Sequence, residues 1–437
     1  MLKESCDRRS FLTKTAGAVA ALSTGVLAGC EANRQPVERL LNHGGAPEPE
    51  LPRVAYKGPN VILIRFGGGV RRLETILHPH KTFCPFIYHE LYKKRGTLCG
   101  EIEIDHFKTP GLPSSTIKHP EKEKELEIPT SHGQGTMHII TGRYDAYEND
   151  TAFLGERFEP TVPTIFEYFR KIYDVPEHQS LIINGEDRIQ EEFYTFSNHH
   201  LYGIHYRSTV LSLYRFKTYL LREELKNPRL EGKDRDEKAK KLAEMETQDY
   251  RRKGLDIDKT VTSPELDRFW AGWKEYYGKT GFVNPRGDRV LTTLALRAIR
   301  ELRPKLMMIN YQDPDYVHWG PPNFYTRAIS IIDDGVQQIF DAVQADAEYR
   351  DHTVFLIIPD CGRDNSLCRS VPYQHHSNTK SAHEIFAVAA GPGISHSKTM
   401  VDRKYQQTGM AATIGKIMKF PAGHVDPAAR VLEEMLA

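Results

Sequence analysis

The chain has 437 residues, of which 39% are hydrophobic and 27% are charged, with 32 glycines and 26 prolines. This composition excludes a collagen-like, a largely disordered or a membrane-embedded protein and indicates a globular one. Lysine and arginine number 59 against 58 aspartates and glutamates, so the net charge is +1 and no overall positive field favours a nucleic-acid partner.

The first thirty residues contain the parts of an export signal in order. Arg8 and Arg9 form a twin-arginine pair, and a weakly apolar run covers 15–28. The run ends in Leu27–Cys30, which resembles a bacterial lipoprotein box whose cysteine takes the lipid. The alternative is a chance arginine pair before an alanine-rich helix.

The export hypothesis divides the start of the chain into two parts. Residues 1–30 are predicted to be a twin-arginine signal with a lipobox, and residues 31–57 a tether, because they contain proline and glycine but few large apolar side chains. The protein would then be periplasmic and lipid-anchored to a bacterial membrane.

Short apolar runs alternate with helical periodicity along most of the remaining chain. The runs predict buried strands at 61–66, 181–184, 306–310, 353–359 and 385–390. Apolar residues at helical spacing predict helices over 162–173, 291–302 and 329–343. This alternation predicts an α/β fold, with a doubly wound, mostly parallel sheet and helices on both faces.

Residues 186–288 interrupt the alternation and are predicted to form an inserted helical cap. Charges of both signs alternate over 233–252, where apolar residues are sparse, and this pattern indicates a solvated helix. An exposed face explains the charged run without a nucleic-acid role. The core of the fold would then comprise 58–185 and 289–437.

Acidic residues and histidines gather next to the predicted strands, at the edge where open α/β sheets bind ligands. Carboxylate oxygens and imidazole nitrogens suit Zn²⁺ or a similar divalent ion when several strand ends converge. The candidate metal ligands at this edge are Asp313, Asp315, His318, Asp360, Cys361, His375, His376 and His383. His375 and His376 are weaker predictions for a further ligand.

Several of these segments resemble the alkaline phosphatase superfamily, which includes phosphatases, sulfatases, phosphodiesterases and cofactor-independent phosphoglycerate mutases. Residues 314–320 (PDYVHWG) resemble its metal-binding Asp/His loop, and residues 356–363 (LIIPDCGR) resemble its Asp-His-Gly loop. Residues 139–144 (IITGRY) are similar to the Leu-Thr-Gly-Arg-Tyr segment of its sulfatase-like members, and His383 resembles its last metal histidine. The order of the segments matches across 61–394, which implies the superfamily fold and a metal-dependent ester hydrolase.

Two metal positions depart from the family pattern. The family's first strand ends in a metal-binding aspartate, whereas here the glycine run 67–69 follows the strand. Its Asp-His pair reads Asp-Cys at 360–361, although a cysteine can still bind zinc as a thiolate. The other position keeps His318, His383 and an aspartate of 313–315. The resemblance therefore implies one metal site more readily than two, with the three protein ligands of a catalytic zinc.

The nucleophile position also departs from the family. Sulfatases modify a cysteine or serine in a C/S-x-P-x-R frame, and no such frame precedes residue 139, since the aligned position is His132. Thr130 or Ser131 is the predicted nucleophile, with a metal lowering the pKa of its hydroxyl and His132 acting as base or oxyanion donor. The alternative is that both hydroxyls cap the following helix.

Arginines near these loops could clamp a sulfate or phosphate oxyanion or form ordinary ion pairs. They are Arg65, Arg71, Arg72, Arg143 and Arg363. Arg363 is the strongest prediction, because it lies beside the metal loop and could balance charge in the transition state.

Two hypotheses of different classes follow from the sequence. The first is an exported, metal-dependent hydrolase of phosphate or sulfate esters, acting on a small anionic ester or on a sulfated or phosphorylated glycan. The second is a catalytically degenerate relative that binds an anionic glycan or a partner without turnover, because a fold alone does not confer activity. Neither hypothesis specifies an oligomeric state.

Overall fold

The computed structural model describes residues 53–104, 130–150, 157–184, 194–248, 263–278, 287–319, 321–364, 374–375 and 379–437. The predicted signal and lipobox, most of the predicted tether and His376 lie outside these residues. The described residues belong to one compact unit, Arg53–Ala437.

Ten strands are present in the described part of the chain. They are β1 (Asn60–Phe66), β2 (Gly96–Glu103), β3 (Tyr147–Asp150), β4 (Arg157–Pro160), β5 (Ser180–Asn184), β6 (Thr209–Leu211), β7 (Leu306–Tyr311), β8 (Thr353–Pro359), β9 (Glu384–Ala390) and β10 (Tyr405–Gln406). Eight of them form one sheet in the order β10-β2-β9-β8-β1-β7-β5-β6, while β3 and β4 form a separate antiparallel pair.

The sheet confirms the predicted fold class. Neighbouring strands pair in parallel from β8 through β1, β7 and β5 to β6. Only β9 runs antiparallel to both of its neighbours, β8 and β2. The carboxyl ends of the central parallel strands therefore meet at one edge of the sheet.

Helices cover both faces of the sheet. The helices are α1 (Arg72–Thr75), α2 (Lys93–Arg95), α3 (His132–Thr141), α4 (Ile165–Ile172), α5 (Leu213–Leu225), α6 (Gly232–Gln248), α7 (Pro264–Tyr277), α8 (Asp288–Leu302), α9 (Pro322–Ala345), α10 (Lys380–His383) and α11 (Gly409–Met418). The described residues also include a π-helix, Phe86–Tyr92, and a 3₁₀ helix, Asp313–Trp319.

The core lies in two clusters, one on each face. Strand side chains alternate between faces, so Ile62 and Ile64 of β1 belong to the cluster that contains α8 and α9 side chains, whereas Val61 and Leu63 belong to the other. The second cluster includes side chains of α3, α4 and α11. Helix α3, which begins at His132, therefore packs on the same face of the sheet as Val61 and Leu63.

The region predicted as a cap is continuous with this core. Strand β6 extends the sheet beside β5, and Phe216 of α5 and Trp273 of α7 are buried in the first cluster. Helix α6 is largely exposed and carries the ion pairs Lys233–Glu237 and Lys240–Glu244, as expected for the predicted solvated helix.

None of the helices in the described residues is both long and apolar enough to cross a lipid bilayer.

Candidate metal centre

One carboxylate oxygen, Oδ1 of Asp315, lies among three histidine rings. Nε2 of His132 is 2.8 Å from this oxygen, Nε2 of His318 is 3.1 Å away and Nε2 of His375 is 3.2 Å away. The side chain of Asp315 is 34% exposed and that of His375 is 1% exposed. The carboxylate is therefore the part of the cluster that solvent reaches most easily.

Three separate segments of the chain supply this cluster. Asp315 and His318 lie on the 3₁₀ helix that directly follows β7, where residues three apart share one side. His132 is the first residue of α3. His375 comes from the segment 374–375, which Asp364 holds through a backbone hydrogen bond from its N to O of Gln374, at 2.8 Å.

The backbone before α3 fixes the orientation of the His375 ring. Nδ1 of His375 lies 3.0 Å from O of Thr130, and because a carbonyl oxygen only accepts, Nδ1 carries the proton. The hydroxyl of Thr130 donates to O of His375 in return. These two hydrogen bonds hold the ring so that Nε2 faces Oδ1 of Asp315, which is the side from which His375 would bind a metal ion.

Asp315, His318 and His375 fit a divalent metal ion. Their ligand atoms all lie within 4.8 Å of one another. Two imidazole nitrogens and one carboxylate oxygen are a donor set that catalytic zinc uses, with a further position open for water or substrate.

Carboxylates on two sides set the charge of His132. Nδ1 of its ring lies 2.8 Å from Oδ2 of Asp360, and Nε2 lies 2.8 Å from Oδ1 of Asp315. Burial alone would lower the pKa of His132, but the two carboxylates outweigh it and raise that pKa well above its usual range. In turn, His132 holds the pKa of Asp315 well below its usual range, although burial acts in the opposite direction.

Solved structures resemble this chain over most of its length. A protein of the alkaline phosphatase superfamily from Vibrio parahaemolyticus is 12% identical, with 88% of this chain and 71% of that chain covered and a TM-score of 0.42. The 2-O GAG sulfatase BT1596 is 13% identical (87% and 74% covered, TM-score 0.44), and a mutant of the alkaline phosphatase PafA is 12% identical (89% and 100% covered, TM-score 0.47).

No known family model matches the sequence, and no curated protein matches it. The candidate role of each residue is therefore argued from its contacts in this structure.

Two predicted ligands lie away from the cluster. Nδ1 of His383 contacts O of Thr379 at 2.9 Å, and His383 belongs to none of the groups of converging ligand atoms found among the described residues. Asp313 turns toward the start of α8, where its Oδ2 accepts from N of Asp288 at 3.2 Å and its own N donates to Oδ2 of Asp288 at 2.9 Å. The geometry thus favours Asp315 over Asp313, and His375 over His383.

Cys361 is buried beside the cluster. Its Sγ is 4.0 Å from Nδ1 of His132, and together with His132 and His375 it forms a second group of converging ligand atoms. Burial, followed by the charge of Asp360, raises the pKa of this thiol to about 11. Metals bind the thiolate form, so an ion held by this group would have to displace the thiol proton, and the metal role of Cys361 stays a prediction.

The two predicted nucleophiles are occupied by other hydrogen bonds. Ser131 is the N-cap of α3, since its Oγ accepts from N of Gln134 at 3.3 Å and donates to Oε1 of the same residue at 2.7 Å. The hydroxyl of Thr130 donates to the backbone of His375. The contacts of Ser131 match the capping alternative, whereas the hydroxyl of Thr130 holds the segment of His375 instead of the helix. The nucleophilic role of both residues stays a prediction.

Replacing Ser131 by asparagine separates capping from catalysis. Asparagine is an equally good N-cap, so we expect Ser131→Asn to keep both stability and hydrolysis, whereas Ser131→Ala should cost about 1 kcal/mol of stability. Urea unfolding and initial rates on aryl phosphate and aryl sulfate esters measure both quantities. A Ser131→Asn protein that folds normally but has lost all hydrolysis would instead make Ser131 the nucleophile.

Most of the arginines that could have clamped an oxyanion form ion pairs with the protein. The pairs are Arg65–Asp360, Arg71–Glu74, Arg72–Glu384 and Arg143–Asp145. For these four arginines the observed contacts are ion pairs within the protein, which is the alternative to an oxyanion clamp.

Arg363 connects two loops through their backbone. Its side chain is completely buried, with Nε donating to O of Gly69 at 2.5 Å and Nη2 donating to O of Pro314 at 2.7 Å and to O of Gly68. The guanidinium lies 4.0 Å from Oδ1 of Asp315. Because it is fully enclosed, the geometry favours a positioning role for Arg363, and its predicted contact with substrate stays a prediction.

Proposed function

We propose that this protein is a hydrolase of phosphate or sulfate esters that depends on one divalent metal ion, for which zinc suits the donor set. The observation that carries the proposal is the convergence of Asp315, His318 and His375 at the carboxyl ends of the parallel strands. Open α/β sheets bind their ligands at this edge.

Asp315, His318 and His375 would hold the ion, which would supply Lewis-acid chemistry toward the ester. The chain's own contribution is to hold the ligands in place, with Thr130 orienting His375 and Arg363 tying the Asp315 loop to the glycine run. Each of these hydrogen bonds reduces the freedom of a ligand before substrate arrives.

His132 is the group that can move a proton at this site. Asp360 holds its Nδ1, and Nε2 faces the cluster beside Asp315. The side chain is 23% exposed, so a substrate oxygen can approach it. Nε2 of His132 is therefore the atom from which a proton passes to a leaving oxygen.

An anionic ester is the substrate class that this charge distribution favours. The overall charge of +1 does not attract anions from a distance. The attraction is instead local, from the metal, from His132 and from the amino end of α3, where helix backbone amides favour negative charge. A small ester or the end of a sulfated or phosphorylated glycan meets these requirements.

Metal analysis combined with ester assays tests the proposed function. Protein beginning at residue 31 is purified, its metal is counted by plasma mass spectrometry, and hydrolysis of aryl phosphate, phosphodiester and aryl sulfate is measured before and after chelation. We expect one divalent metal ion per chain. Hydrolysis should disappear with the chelator and return with added Zn²⁺. Protein that binds no ion and hydrolyses none of the esters would refute the proposal.

The occupied hydroxyls favour one alternative, a binding protein without turnover. The hydroxyl of Thr130 donates to the backbone oxygen of His375 and that of Ser131 to Oε1 of Gln134, so neither of these hydrogen bonds is to a metal-binding atom of the cluster. A degenerate site would still bind metal and anion, so the same experiment separates the two hypotheses: bound metal with no hydrolysis of any ester supports the alternative.

We also propose that the chain is exported and anchored by lipid at Cys30. The support is the order of twin arginine, apolar run and lipobox within residues 1–30. Cell fractionation of the full chain tests it: we expect the protein in the membrane fraction, and Cys30→Ser should release it into the soluble periplasm. Retention of both proteins in the cytoplasm would contradict the proposal.

A further inference from the structure

The carboxylate of Asp360 has no free position for a metal ion. Oδ1 accepts from N of Cys361 at 2.8 Å and from N of Gly69 at 3.2 Å. Oδ2 accepts from Nη1 of Arg65 at 3.0 Å and has Nδ1 of His132 at 2.8 Å. A carboxylate offers about four acceptor positions, so these four donors saturate it.

Arg65 supplies a permanent positive charge to this carboxylate. Its side chain is 2% exposed, and Nη1 also donates to Oγ1 of Thr136 at 2.9 Å. Both Arg65 and Asp360 are enclosed by the protein, since the Asp360 side chain is 0% exposed. A guanidinium keeps its charge under all ordinary conditions, and a buried charge pair is retained only when each partner is well bonded.

The glycine after β1 is part of the same arrangement. A Cβ on Gly67 would lie 2.0 Å from O of Tyr311 and 3.0 Å from Nη2 of Arg65. No side chain can extend from this position without displacing the backbone, and the guanidinium occupies the adjoining space. The end of β1 therefore contributes a cation, through Arg65, where a side chain at residue 67 could have contributed a metal ligand.

We propose that Arg65 is a built-in cation that takes the place of a second metal ion beside Asp360, so that the chain holds one exchangeable ion only. This inference rests on the proposed function, because it assumes that Asp315, His318 and His375 bind the first ion. It assigns Arg65 as a positioning residue that acts through Asp360 and His132.

Cobalt titration of chelator-treated protein tests this assignment without an activity measurement. Co²⁺ bound by a cysteine thiolate gives an intense near-ultraviolet charge-transfer band, which nitrogen and oxygen ligands do not give. We expect the protein to bind one equivalent of Co²⁺ without that band, and Cys361→Ser to leave the spectrum unchanged. Arg65→Lys, which keeps a cation, should also bind one equivalent.

Removal of the cation should open a second site. We expect Arg65→Ala to bind a second equivalent of Co²⁺ with a thiolate band. Without the guanidinium, the negative charge of Asp360 has lost its partner, and Asp360, Cys361 and His132 face the emptied volume. A folded Arg65→Ala protein that still binds one equivalent would overturn the inference. If Arg65→Ala does not fold, the unmodified protein decides: two equivalents, or a thiolate band that Cys361→Ser abolishes, would overturn it.

The outcomes separate this inference from the proposed function. Binding of two ions by the unmodified protein, with ester hydrolysis, would overturn the role of Arg65 and the expectation of a single ion, but metal-dependent ester hydrolysis would stand. Binding of no ion would refute the proposed function first, and the inference with it.

Discussion

His375→Asn is expected to lose the bound metal ion and to reduce ester hydrolysis by at least about 100-fold, since even partners that only orient a ligand contribute 10–100-fold. The side-chain nitrogen of asparagine takes the place of Nδ1 and can still donate to O of Thr130, whereas no atom replaces Nε2 beside Asp315. The fold should therefore survive while the ligand is lost.

His383→Asn is the matched control, because the same substitution there keeps the hydrogen bond from Nδ1 to O of Thr379. We expect this variant to retain the full metal content and hydrolysis. Plasma mass spectrometry of both variants, followed by initial rates, gives the comparison. A metal-free His383→Asn beside a metal-loaded His375→Asn would return the ligand role to His383.

Arg363→Met is expected to lower the free energy of unfolding by about 3 kcal/mol or more, because removing a buried donor leaves its acceptors unsatisfied at about 1–3 kcal/mol each. Methionine has a similar length but cannot donate to the carbonyl oxygens of Gly68, Gly69 and Pro314. Urea unfolding in the presence of a chelator measures the loss without any contribution from bound metal.

Arg143→Met is the control for that measurement. Arg143 pairs with Asp145 at the surface, where the two side chains are 30% and 37% exposed. Such pairs contribute about 0–1 kcal/mol, so this variant should unfold close to the unmodified protein. If Arg363→Met were equally stable but unable to hydrolyse esters, the predicted contact between Arg363 and substrate would be correct after all.

The central strands were predictable because burial on both faces leaves a simple pattern. The run 353–359 coincides with β8, and 61–66 and 306–310 differ from β1 and β7 by one residue. The direction of β9 was not predictable, since an apolar run such as 385–390 has no orientation. Strand β2 was missed because its glycines and acidic residues interrupt the apolar pattern.

The site was predictable in kind but not in detail. Asp315 and His318 follow a strand within one short segment, so local spacing identifies them. The choice of His375 over His383 depends on Thr130, which lies 245 positions away in sequence, and no local pattern carries that information. The pairing of Arg65 with Asp360, 295 positions apart, is hidden for the same reason.

The proposed ligands Asp315 and His318 are neighbours on one turn, but His375 joins them from a distant part of the chain. An ion bound to all three closes a loop of roughly 60 residues, and such a closure restricts the unfolded chain by an amount that grows slowly with loop length. An ion present at about 100 times its dissociation constant adds about 2.7 kcal/mol to the stability of the folded state. The metal would thus also act as a reversible crosslink, making resistance to unfolding depend on the free metal concentration around the protein.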